Sequence, residues 1–243
     1  MRSILSAFLI VAGVLHADVV SILPVADTTL YNEGGGNIGG GADDNLFIGV
    51  TGNGRIVRGL LDFDVASFVP SGSVITSAVL TLNLNRTRTS AMNAGLHVIT
   101  TAWGEGSSVP SSGGGQGGPS TAGGASWIHT FYNTNFWATA GGDFAASASA
   151  TLTINPSFGF YSFSSAQMVA DVQAWLNSPS TDHGWMVRGE EDGGAMRFDA
   201  RESGTIGAQP TLTIGYTVVP EPATLGFLLA GLAAMATRRF HHA

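Results

Sequence analysis

Any chemistry in the body of this chain must come from sixteen carboxylates and seven arginines between Asp18 and Val219. Glycoside hydrolysis needs two carboxylates facing each other across a cleft, and a lyase needs a base with a charge neutraliser. Asp62 and Asp64 alternate with Leu61, Phe63 and Val65, which predicts that both occupy the solvated face of one strand. Glu190-Glu191-Asp192 precedes Gly193-Gly194 and reads as a solvated hairpin tip. His97, His129 and His183 have no HExxH or CxxC spacing around them, and no GxSxG elbow surrounds a serine such as Ser107 or Ser112. The expectation is a chain without catalytic residues; the alternative is a polysaccharide-degrading enzyme or an accessory module of one.

Two binding chemistries remain. Asp27, Asp43, Asp44 and Asn45 lie in or beside flexible turns where oxygen ligands can converge on calcium, although plain turn capping by the same side chains competes with that reading. The segment 126–143 carries Trp127, His129, Phe131, Tyr132, Phe136 and Trp137, the densest aromatic stretch of the chain. Rings in a β protein usually fill the core; exposed, Trp103, Trp127, Tyr132 and Trp137 would form a platform for stacking on sugars. The body balances seven Arg against sixteen acids, a charge near −9 that repels nucleic-acid backbones. A neutral or cationic polysaccharide is the expected partner, because an anionic one would need calcium as a bridge.

These residues must be positioned by strands. Segments 55–65 and 74–84 alternate apolar and polar residues, the pattern of a strand with one buried face. Further short strands are predicted at 96–101, 150–154, 158–163, 184–188, 196–200 and 210–218, and an edge strand within 19–30. Residues 32–44 and 107–124 are rich in Gly with Asn, Asp, Ser or Pro and read as a long turn and an exposed loop. Met168, Val169, Val172, Trp175 and Leu176 recur at helical spacing, which predicts one helix over 165–177, opened by a serine and followed by Pro179. With 34 Gly and no Cys in 243 residues, a single antiparallel β-sandwich over 18–218 must hold itself together by packing or a bound metal.

The two ends read as addresses. Residues 1–17 combine Arg2, an apolar run from Ile4 to Leu15 and a small residue, Ala17, before Asp18, the plan of a secretory signal peptide cut after Ala17. In the tail, 219–243, Pro220-Glu221-Pro222 ends the globular part. Residues 223–237 form an uncharged apolar helix of about 22 Å, short against a bilayer core of about 30 Å. Arg238 and Arg239 then stay on the cytoplasmic side, which leaves the body outside. This order of motif, helix and basic pair closely resembles the bacterial PEP-CTERM sorting signal. The resemblance implies transient residence in the inner membrane, processing by an exosortase-type enzyme and delivery to the cell surface or extracellular matrix.

The body also resembles a family. Phe63-Asp64, Trp103-Gly104-Glu105-Gly106, Trp137 with Gly141-Gly142-Asp143-Phe144, the run from Met168 to Trp175, Gly184-Trp185 and Phe198-Asp199-Ala200-Arg201-Glu202 are similar to the DNRLRE domain. The likeness extends from about Val25 to Tyr216. It implies a jelly-roll β-sandwich and, by analogy with some relatives, a carbohydrate-binding module. Where the family pattern often has Asn-Phe before Gly-Trp, this chain has Asp182-His183.

Overall fold

The computed structural model describes residues 17–33, 35–111 and 115–219. The segment read as a signal peptide, up to His16, and the one read as a sorting tail, with Pro220, Glu221, Pro222, Arg238 and Arg239, lie outside the described residues.

Strands β1 (Ala17–Ile22), β2 (Ala26–Tyr31) and the two-residue β3 (Ile38–Gly39) open the body, followed by β4 (Asn45–Val50), β5 (Ile56–Asp62) and the long β6 (Val74–Thr87). After β7 (Met92–Val98), the Gly-rich region contributes β8 (Gly118–Pro119), β9 (His129–Phe131) and β10 (Asn135–Phe136), which form two small ribbons, β3 with β8 and β9 with β10. β11 (Ala150–Ile154) and β12 (Gly159–Ser164) lead into helix α1 (Ala166–Asn177), and β13 (Trp185–Arg188), β14 (Ala195–Asp199) and β15 (Thr211–Thr217) complete the order. Eleven strands share one curled antiparallel sheet ordered β1-β15-β6-β14-β4-β5-β13-β7-β11, with β12 paired to β6 and β2 to β5.

The alternation of β6 becomes the main core. Ala78, Leu80, Leu82 and Leu84 are buried against Phe63, Phe163, Trp185 and Phe198, while Thr81 and Asn83 remain half-exposed on the other face. Helix α1 closes one side of that core with Met168, Val172, Trp175 and Leu176. Ser165 caps it by accepting a 3.0 Å hydrogen bond from the Met168 amide. Gly184, at φ +72°, is required where β13 enters beside β5, because a Cβ there would collide with the Leu61 carbonyl.

Several strands depart from the sequence expectation: 19–30 holds two strands, β1 and β2, rather than one edge strand, β7 begins at Met92 rather than at 96, and β3 and β8 fall in segments read as a turn and a loop. β4 follows the turn at 32–44 with the run Leu46-Phe47-Ile48, which does not alternate because both of its faces are covered. Leu46 and Ile48 enter the main core, whereas Phe47 packs with Tyr31 and Val57 in a separate cluster. Among the described residues, no helix is long and apolar enough to cross a membrane.

Candidate functional site

The indole rings expected as a sugar platform are core residues. Trp103, Trp127 and Trp137 are 9, 8 and 6 % exposed and pack with Leu30, Leu60, Ile99 and Met186. Their polar atoms are used internally: Trp103 Nε1 donates to the His183 carbonyl and Trp137 Nε1 to the Ser126 carbonyl, each at 2.9 Å. The Arg58 guanidinium lies 4.8 Å from the centre of the Trp127 ring. Tyr132 is half-buried, stands edge-on to His129 and donates its hydroxyl to Asn37. The aromatic stretch thus pins a Gly-rich loop onto the sheet, and the platform expectation is corrected for its three tryptophans: a ring buried on both faces has none to offer a sugar.

The four expected calcium ligands divide between two places. Asp43 Oδ1 accepts from both the amide and the side chain of Asn45, and Asn45 Oδ1 in turn accepts from Asn85. Asp44 is exposed, and its carbonyl accepts from the Ala200 amide. Asp27 is 1 % exposed and gathers different partners, Glu105 and Glu202, whose carboxylate oxygens lie with its own within 4.8 Å of one another. The backbone draws these acids together: the Asp27 amide donates to Glu105 Oε1 at 2.8 Å, and the Arg201 amide to Asp27 Oδ2 at 2.7 Å. Gly41 makes room for them, since a Cβ there would strike the Glu105 carbonyl. Burial raises the pKa of Asp27 and of Glu202, and the neighbouring carboxylates add to the effect. Calcium accepts such oxygens, but the Arg201 guanidinium already reaches Glu105 Oε2 at 2.7 Å and Glu202 Oε1 at 2.5 Å.

Two other acidic groups also differ from expectation. Glu191 is no solvated tip: it binds Arg58 at 2.7 Å and Arg188 at 2.8 Å. Burial alone would raise its pKa, but the hydrogen bonds from Arg188 and Arg58 outweigh this and hold it at about 2. Asp62 is half-buried rather than solvated, and with Val25, Phe63, Asp64, Ala66, Pro179 and Asp182 it lines a cavity of about 190 Å³. Burial, then repulsion from Asp62, pushes Asp182 up to about 8, while burial and the nearby Asp64 push Asp62 up to about 6.

Phe136 of the aromatic stretch is exposed, at 64 %, with its ring against His129; further exposed groups lie elsewhere. The outer face of β1, β15, β6 and β12 is a hydroxyl-bearing surface in which Ser21 meets Thr213 and Thr81 meets Ser162, both at 2.9 Å. Phe160, opposite Asn83 in the β12–β6 register, is 63 % exposed on this face. Beyond Asn83, the strand ends at a cavity of about 200 Å³ walled by Arg86, Arg88 and Arg197. Sequence reasoning did not single out these arginines or Phe160. The one available signal was the two-residue spacing of Arg86 and Arg88 at the end of an alternating strand. No family model matches the chain, and no curated protein matches it significantly.

Proposed function

We propose that the chain is an exported, exosortase-sorted surface or matrix protein that holds polysaccharide without altering it, on a jelly-roll-like β-sandwich. The observation that carries the binding reading is the outer face around Phe160, where an exposed ring stands among the hydroxyls and amides of Thr81, Ser162 and Asn83. A ring covers an apolar sugar face while neighbouring polar groups take its hydroxyls, a combination that gives low affinity multiplied by repetition along a polymer. The export reading is supported by the sequence of the two ends: Arg2, the apolar run to Leu15 and Ala17 at one, and Pro220-Glu221-Pro222, the apolar segment 223–237 and Arg238-Arg239 at the other. Mass spectrometry of the mature protein should find neither Met1 nor Arg238-Arg239; both termini intact at the cell surface would refute sorting. Affinity electrophoresis in polysaccharide gels tests the binding face: Phe160→Ala should remove retardation.

A second reading is favoured by one cavity. Asp62 and Asp182 both line it and have different, raised pKa values, the tuning that sets an acid and a base apart in glycoside hydrolysis. Release of reducing ends from a polysaccharide, lost in Asp182→Asn, would establish an enzyme in place of a binding protein.

A further inference from the structure

We propose that the cavity walled by Arg86, Arg88 and Arg197 is an oxyanion site that receives the carboxylate or sulfate of an acidic sugar residue. The inference rests on the glycan-binding reading above and reverses the charge preference expected from composition.

The site is built by a register shift. Arg197 of β14 pairs with Arg86 of β6 and the next residue, Phe198, pairs with Leu84, so Asn85 is the extra residue and the strand bends there. Asn85 Oδ1 accepts from Arg197 Nε at 2.6 Å, which turns the guanidinium by its inner nitrogen. Arg88 follows where β6 ends and lies beside Gly52 across the cavity wall. Thr51, Asn53 and Gln116 add uncharged polar groups, Phe47 adds an apolar wall, and among the described residues no carboxylate lines the cavity.

Charge makes this arrangement unusual for the chain. Acids outnumber arginines sixteen to seven in the body, and Arg58, Arg188 and Arg201 all form ion pairs with them. Arg86 and Arg88 form no ion pair among the described residues. The crowding has an energetic mark: burial, then the Arg86 charge, lowers the pKa of Arg197 against the opposing pull of Asp199 and Asp43. An anion relieves that repulsion and accepts forked hydrogen bonds from guanidinium groups, which suit planar carboxylates and tetrahedral sulfates alike. A volume of about 200 Å³ lies below the range of pockets that enclose whole small molecules, so the fit is to one sugar ring with its substituent. The hydroxyl-bearing face around Phe160 continues from this cavity along β6 and supports the neighbouring rings of the same polymer.

The test is calorimetric titration of the full chain with polygalacturonate, dextran sulfate, uncharged dextran and inorganic sulfate. At least one charged polymer should bind at least tenfold more tightly than dextran, and whichever is preferred identifies carboxylate or sulfate as the group. Arg86→Gln combined with Arg88→Gln should weaken that binding at least tenfold and leave the thermal midpoint unchanged. Equal affinity for dextran, or full affinity in the double variant, overturns the oxyanion site and leaves the glycan reading standing. Binding of inorganic sulfate with no polymer bound supports the site and removes the glycan reading. No binding of any of the four probes overturns both.

Discussion

Two regions of this molecule use the same residue types in opposite ways. Around β2, β5 and the loop carrying Trp103, Trp127 and Trp137, rings are buried and arginines are paired: Arg58 with Glu191, Arg201 with Glu105 and Glu202. On the outer face of β6, β12 and β14, the ring of Phe160 is exposed and Arg86 and Arg88 line a cavity that holds no carboxylate among the described residues. A ring or a guanidinium that satisfies its needs internally holds the fold together, and one left facing solvent is available to a ligand. The distinction lies in partners rather than in residue type, which explains why the tryptophans of the densest aromatic stretch, unlike its exposed Phe136, are scaffolding.

The comparison can be broken most severely at Trp127. Its replacement by Ala removes a buried ring and the seat of the Arg58 guanidinium, and should cost about 3–5 kcal/mol by denaturant titration. A cost below about 1 kcal/mol would return Trp127 to the list of surface rings. Arg201→Gln should cost about 3 kcal/mol at pH 7, because Glu105 and Glu202 lose their cation while Asp27 remains buried beside them. If added calcium restored the melting temperature of that variant alone, the three carboxylates would be shown to accept a cation in place of the guanidinium.

Asp182 gives a smaller effect with a definite sign. Its folded pKa, about 8, lies above the ordinary carboxylate value, so the folded state binds the proton more tightly than the unfolded chain does. The stability it contributes is complete below about pH 4 and is lost as pH rises towards 8. Asp182→Asn should therefore raise stability at pH 8 by roughly 1–3 kcal/mol and leave it nearly unchanged at pH 4. Parallel pH profiles for the two proteins would mean that Asp182 is well solvated. Glu191 has the opposite sign, since its folded pKa is lowered to about 2 and its stabilisation is lost as pH falls from the ordinary carboxylate range towards that value. The smallest expected effect is at Phe160, where Ala should change stability by less than about 0.5 kcal/mol while removing polysaccharide retardation. A loss of stability comparable to that of Trp127→Ala would place Phe160 in the scaffold and end the comparison.

The sequence by itself determined the longer strands in which one face meets solvent and alternation runs unbroken. Alternation in β5, β6 and β15 and the helical spacing of α1 were legible because burial on one side imposes a period. It did not reveal β4, whose two covered faces remove the period. The partners of charged groups were equally hidden. Glu191 meets Arg58 from 133 positions away, and Asp27 meets Glu105 and Arg201 across separations of 78 and 174. Only the closing of the sheet brings such distant positions together, and burial then decides which carboxylates hold a proton and which hold an arginine. The same closure brought Arg197 beside Arg86, 111 residues earlier in the chain, through a register shift between β6 and β14. Composition read those two arginines as part of an acidic average; tertiary structure made them walls of one cavity, because charge acts over ångströms in space and not over distance along the chain.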